Sequence, residues 1–146
     1  MTGRVFTLDV PIRFQHVDAA GIVFYPRYVE MINLVIEEWF REALGCGYHE
    51  LHFIRRLGIP TAHIDISFRA PTRLEETIRF HLSVLELRTR AFVLKHRVTC
   101  GDDVRLGAMH RLVCASLDDL APVPIPAKIR ESMIAYLEPG VAPVGG

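Results

Sequence analysis

The stretch MINLVIEEWFREAL, residues 31–44, limits the folds open to this chain more than any other feature. Pro26 suits the first helical position ahead of it, where a missing N–H and a preset φ are harmless. Met31, Ile32, Leu34, Val35, Ile36, Trp39 and Phe40 then fall around most of a helical circumference instead of along one stripe. A helix that is apolar on several sides must be covered on several sides. Glu37, Glu38, Arg41 and Glu42 return its later turns to water, and Gly45 or Gly47 can end it.

The cover is encoded in the second half, where the apolar period changes to two. Thr61, His63, Asp65, Ser67 and Arg69 interleave with Ala62, Ile64, Ile66 and Phe68, and Ile78, Phe80, Leu82 and Val84 alternate with Arg79, His81 and Ser83. Residues 90–100 and 104–117 supply two longer apolar strands joined by the turn GDD at 101–103. A first strand, near an edge or bulge, is expected over residues 5–14 around Pro11. Residues 48–58 read as a short second helix stopped by Gly58 and Pro60, and 125–137 as a small terminal helix. Strands and helices do not alternate in the second half, which argues against a parallel sheet. The expected class is α+β, with a long antiparallel sheet wrapped around the apolar helix.

With 146 residues, one domain is expected over 1–138, followed by a disordered tail, 139–146. Half of the residues are hydrophobic, enough for a core with apolar surface left for self-association. Lys plus Arg and Asp plus Glu both number 17, so no net field attracts nucleic acid or an anionic membrane. No apolar run approaches the roughly 20 residues of a membrane span, and the first ten residues lack a signal peptide's apolar centre. Cys46, Cys100 and Cys114 are odd in number and widely spaced, fitting neither a disulfide framework nor CxxC spacing. A reducing, cytoplasmic setting is expected.

Asp18 stands out chemically because it lies among small and apolar residues in VDAAGIVFYPRYVEM, 17–31, just before the helix. Tyr25 to Tyr28 should form the helix N-terminus, where unpaired N–H groups and the helix dipole favour developing negative charge. A carbonyl held there would be polarised, and Asp18 could attack it or activate a water. A turn-forming aspartate is the competing explanation, although Asp18 is seven residues before Tyr25 and cannot cap a helix starting at Pro26. His16 is a second acid or base, or a polar loop residue.

DAAGIVFYPRYVEMIN resembles the signature of the hotdog-fold acyl-CoA thioesterases of the 4-hydroxybenzoyl-CoA thioesterase family, close to D-x-x-G-I-V-x-Y-P-x-Y. Asp18, Gly21, Ile22, Val23, Tyr25, Pro26 and Tyr28 match it. The likeness continues through IPTAHIDISFRAP, RAFVLKHRV, MHRLVCASLD and PVPIPAKI. The resemblance implies a hotdog fold, a five-stranded antiparallel sheet around a long central helix. It also implies a homodimer or homotetramer with active sites at the dimer interface. By the same resemblance Asp18 is nucleophile or general base and the Tyr25 N–H polarises the thioester carbonyl. Gly21, Pro26 and Asn33 are then substrate-binding, and Arg88 and Arg90 contact the CoA phosphates.

Some relatives carry an acid where this chain has Asn33, so benzoyl-type, hydroxybenzoyl-type and short-chain acyl groups all stay open. Val17 stands where a small polar residue often precedes the aspartate. No metal or organic cofactor is implied. Cys46, His49 and His52 have helical spacing without a fourth partner, and His96 falls on the apolar side of its strand as a core histidine. Two other classes compete: a non-catalytic module binding acyl-CoA or an acyl carrier protein, and a hydratase or dehydratase on the same scaffold.

Overall fold

The computed structural model describes residues 2–145. β1, Phe6–Pro11, leads through a short 3₁₀ turn at Phe14–His16 and a tight loop into α1, Tyr25–Glu42. A single π-helical turn, His49–Ile54, and the short β2, Leu57–Gly58, follow. Four long strands come next: β3, Thr61–Phe68; β4, Thr77–Leu87; β5, Ala91–Cys100; and β6, Asp103–Val113. β7, Ala115–Ser116, and α2, Ala127–Ile134, complete the chain. The main sheet is antiparallel throughout with the order β1-β4-β5-β6-β3, while β2 and β7 pair separately.

α1 lies on one face of this sheet because the sheet presents an equally apolar surface. Tyr28, Met31, Ile32, Val35, Ile36, Trp39 and Phe40 are buried against Phe80, Leu82, Phe92, Leu94, Val98, Leu106 and Leu112. Trp39 also packs edge-on against Tyr136, ring centroids 5.6 Å apart. Truncating so large a buried side chain to Ala would destabilise the fold by about 3–5 kcal/mol. Gly45, at φ +68°, ends the helix as expected, letting the Cys46 N–H turn back onto the Phe40 carbonyl at 3.0 Å. No described helix is long and apolar enough to cross a membrane.

The two outer strands differ in how they are finished. β1 pairs with β4 only as far as Phe6 opposite Leu82, and the segment after α2 takes the edge of β4 beyond it: the Val84 N–H donates to the Tyr136 carbonyl and the Glu138 N–H donates to the Val84 carbonyl. Among the described residues, β3 has no neighbour on its outer side. Its inward residues Ile64 and Ile66 are only half-covered and Phe68 is 52% exposed, so the alternation expected there is present but incompletely buried. An uncovered edge of eight residues is a pairing surface.

Residues 139–145, expected as a disordered tail, have specific partners: Val144 N–H donates to the Leu87 carbonyl, and Arg130 of α2 donates to the Val144 carbonyl. β2 and β7 are an addition that sequence reading did not anticipate, since two-residue strands carry no period.

Candidate active site

Residues 17–23 form a small hairpin directly ahead of α1. Val17 pairs with Val23, the Asp18 N–H donates to the Ile22 carbonyl at 3.0 Å, and the Gly21 N–H donates to the Asp18 carbonyl at 3.0 Å. The tip needs a left-handed residue, and Gly21 supplies it at φ +76°. The Phe24 N–H then donates to the His16 carbonyl at 2.9 Å, so the chain enters α1 at a fixed angle.

That entry leaves one donor over. The Phe24 amide is bonded to His16, Pro26 has no N–H, and the Arg27 N–H turns back to the Phe24 carbonyl at 2.8 Å. The Tyr25 N–H is therefore the amide without an acceptor among the described residues at this helix start, backed by the positive end of an eighteen-residue helix. Pro26 fixes the geometry by occupying the first turn, where no N–H can compete with that of Tyr25.

Asp18 accepts the Ala20 N–H on one oxygen at 2.9 Å, so the turn-forming role is real. It does not use up the carboxylate, which retains a second oxygen. Asp18 is exposed, as are Phe14, four residues before it, at 84% and Tyr25, seven residues after it, at 64%. Tyr25 meets Phe24 and Phe68 edge-on at 5.5 and 6.3 Å. His16 lies beside this hairpin with its Nδ1 held by the Arg13 N–H at 2.8 Å, and burial lowers its pKa.

The remaining expected site residues lie elsewhere in the chain. Asn33 is exposed two turns into α1, in a groove of about 520 Å³ that it shares with Glu37, Tyr48, His52 and Pro60. Burial raises the Tyr48 phenol pKa, with the nearby Glu37 charge adding to it. Arg88 and Arg90 flank the β4–β5 turn, at the far end of β4 from the hairpin; eleven residues of strand span roughly 33 Å. Arg88 is paired with Glu86, while Arg90 makes no side-chain hydrogen bond or ion pair among the described residues. Arg130 joins this turn, donating to the Arg88 carbonyl at 3.0 Å. Sequence reading missed it because α2 docks there only through tertiary packing.

The other sequence candidates have separate partners. Cys46 Sγ lies 3.5 Å from Glu50, and His52 Nδ1 is 3.0 Å from the Tyr48 carbonyl. His96 is buried with its Nε2 3.3 Å from Nδ1 of buried His110, whose Nε2 meets the Thr61 hydroxyl at 2.7 Å.

Residues 12–133 match the family described as the thioesterase-like superfamily. The 1,4-dihydroxy-2-naphthoyl-CoA hydrolase of Synechocystis sp. is 22% identical over 126 residues, spanning 83% of this chain and 88% of that protein. The 4-hydroxybenzoyl-CoA thioesterase of Pseudomonas sp. strain CBS-3 is 27% identical over 110 residues, spanning 70% and 76%. The solved structure of a gentisyl-coenzyme A thioesterase superposes with a TM-score of 0.78 at 26% identity, covering 87% of this chain and 98% of that one.

Proposed function

The chain belongs to the thioesterase-like superfamily and is a hotdog-fold thioester hydrolase, and on that premise we propose that it cleaves aromatic acyl-CoA to the free acid and CoA through Asp18 and the Tyr25 amide. The observation that carries this reading is the cassette itself: one free carboxylate oxygen and one unpartnered helix-start N–H on consecutive elements. The Tyr25 N–H accepts no role in the fold and is available to the thioester oxygen, where negative charge develops.

Two balanced routes use the same groups. In one, an Asp18 oxygen bonds to the acyl carbon, the C–S bond breaks, CoA leaves as thiolate, and water then hydrolyses the mixed anhydride and restores the carboxylate. In the other, Asp18 takes a proton from water as that water attacks, and the thiolate leaves with the proton returned to it. Thiolate leaves readily, so neither route needs a metal. Single-turnover reaction in ¹⁸O-labelled water separates them, because label enters the Asp18 carboxylate only by the covalent route.

A complete site in this reading is shared between copies, as a homodimer or a pair of dimers. The unpaired β3 edge and the exposed aromatic surface beside it support this. A two-fold joining β3 to the partner's β3 antiparallel reverses the second sheet. It brings the Arg88–Arg90 turn of one copy to the hairpin end of the other, which removes the separation of roughly 33 Å. Arg90 would then meet a CoA phosphate, and Gly21, Pro26 and Asn33 would border the acyl chain. A cytoplasmic setting belongs to the same reading, supported by three free cysteines.

The aromatic choice follows the substrates named for the similar proteins and the exposed rings of Phe14, Phe24 and Tyr25 on the segment that carries Asp18. A panel of benzoyl-, 4-hydroxybenzoyl-, phenylacetyl- and aliphatic-CoA esters, assayed by thiol release, tests it. Faster turnover of aliphatic than of all aromatic esters would overturn the substrate class.

A further inference from the structure

Fully buried Thr72 stands where three tethers meet. Its backbone carbonyl accepts the Val23 N–H at 2.8 Å. Its hydroxyl accepts the Tyr28 phenol O–H at 2.9 Å and a guanidinium N–H of Arg105 at 3.3 Å. Val23 closes the hairpin that carries Asp18, and Tyr28 lies one turn into α1 from Tyr25. A single residue thus ties the carboxylate's hairpin and the amide's helix to a common point.

Arg105 fixes that point from the sheet. It is 9% exposed, and its guanidinium donates to the Pro71 carbonyl at 3.0 Å, to both Glu76 oxygens at 2.9 and 3.0 Å, and to Asp103 at 2.6 Å. Its own carbonyl accepts the Arg69 and Ala70 amides. Arg105, together with the Arg73 N–H, holds the Glu76 carboxyl down at about 2. The segment so clamped supports the hairpin a second time, through the Leu74 N–H on the Gly21 carbonyl at 3.2 Å.

A near-buried guanidinium is a costly way to secure a loop, because desolvation opposes it; what such a network adds over apolar packing is a single defined geometry. We propose that Thr72 and Arg105 are positioning residues for the thioester site, Thr72 setting the span from Asp18 to the Tyr25 amide and Arg105 holding Thr72. The inference rests on the reading of Asp18 and Tyr25 as the reacting pair. Neither residue touches the acyl group. They act through the hairpin and the helix, where a displacement of about 1 Å can lower a rate about a hundredfold.

The test uses Thr72→Val, which keeps the shape and the carbonyl but loses the hydroxyl, and Thr72→Ser, which restores the hydroxyl. Arg105→Lys keeps the charge and loses the fork. Steady-state kinetics on an aromatic CoA ester and amide hydrogen exchange are measured on the full chain. Thr72→Val is expected to lower kcat by about tenfold, KM staying within about twofold, since only transition-state alignment is lost. Thr72→Ser should recover most of that loss, Arg105→Lys should fall between, and Tyr28→Phe should add little to Thr72→Val. Exchange should quicken at residues 18–28 in Thr72→Val and hold at 31–42. A folded Thr72→Val with unchanged kcat, or unchanged exchange at 18–28, overturns the proposal. Should the unaltered protein cleave no ester in the panel, the functional reading fails separately, and exchange alone still decides on positioning.

Discussion

Asp18 holds the Ala20 N–H with one carboxylate oxygen at 2.9 Å and leaves the other without a partner among the described residues. The local bond orients the acid, and the free oxygen is what chemistry would use. Asn can reproduce the bond to Ala20 but is neither a base nor a carboxylate nucleophile. Asp18→Asn should therefore fold with an unchanged circular dichroism spectrum and lose at least about a hundredfold in kcat, the scale of one general base. Retained turnover in a thiol-release assay would contradict the assignment.

Among the described residues the Arg90 guanidinium is unengaged, whereas Arg88 is already paired with Glu86. Arg90→Ala should raise KM for acyl-CoA by about tenfold, the value of one charge-assisted hydrogen bond to phosphate. KM for the corresponding N-acetylcysteamine thioester, which has no phosphate, should stay the same. Arg88→Ala should do less.

Because the hairpin and the Arg88–Arg90 turn lie at opposite ends of β4, complementation between copies is expected. Mixing Asp18→Asn protein with Arg90→Ala protein under exchange conditions should restore activity at low substrate. Each mixed dimer then carries one site with both residues intact. If both residues served the same site from one chain, no mixture would regain activity.

Burial lowers the His96 pKa to about 3, aided by His110, and burial alone lowers that of His110 to about 4. Both are neutral in the folded protein and titrate near 6.5 when unfolded, so below 6.5 the unfolded state binds more protons. Their stabilising contribution is complete above pH 6.5 and is lost as pH falls through the window from 6.5 towards 4 and 3. At pH 5 the loss is about 2 kcal/mol for each histidine. Urea midpoints at pH 7 and pH 5 measure it, and His96→Leu should flatten the slope by about half.

Asn33 faces a groove with Glu37 and Tyr48 but carries no charge itself. Asn33→Asp should raise the kcat/KM ratio of 4-hydroxybenzoyl-CoA to benzoyl-CoA by about tenfold, since a carboxylate accepts a phenolic hydrogen more strongly. An unchanged ratio would place the acyl ring elsewhere.

Much of this was readable from residue order. The helix around Trp39 and Phe40 demanded cover, and the alternation at 78–84 named one strand that provides it; Leu34, expected under cover with the rest of the apolar set, is instead 44% exposed because the sheet covers α1 from one face. Asp18, Gly21, Tyr25 and Pro26 lie within nine consecutive positions, so the turn and the helix start that carry them follow from local chemistry, while their ties to Thr72 do not. β2 and β7 were not legible, being too short for a period. Nor was Arg130, nor the pairing of β4 with the chain near Leu137, because these depend on contacts between distant segments.

Local sequence thus determined the helix, the long strands and the loop that carries the acid into the helix start, since each depends on neighbours a few bonds away. Tertiary structure alone decided three things: that Thr72 and Arg105 meet behind the hairpin, that His96 pairs with His110, and that Arg90 ends up a strand's length from Asp18. The physical reason is the same in each case. These relationships span 14 to 72 residues of chain, and their energies arise only once the sheet has closed around α1 and excluded water.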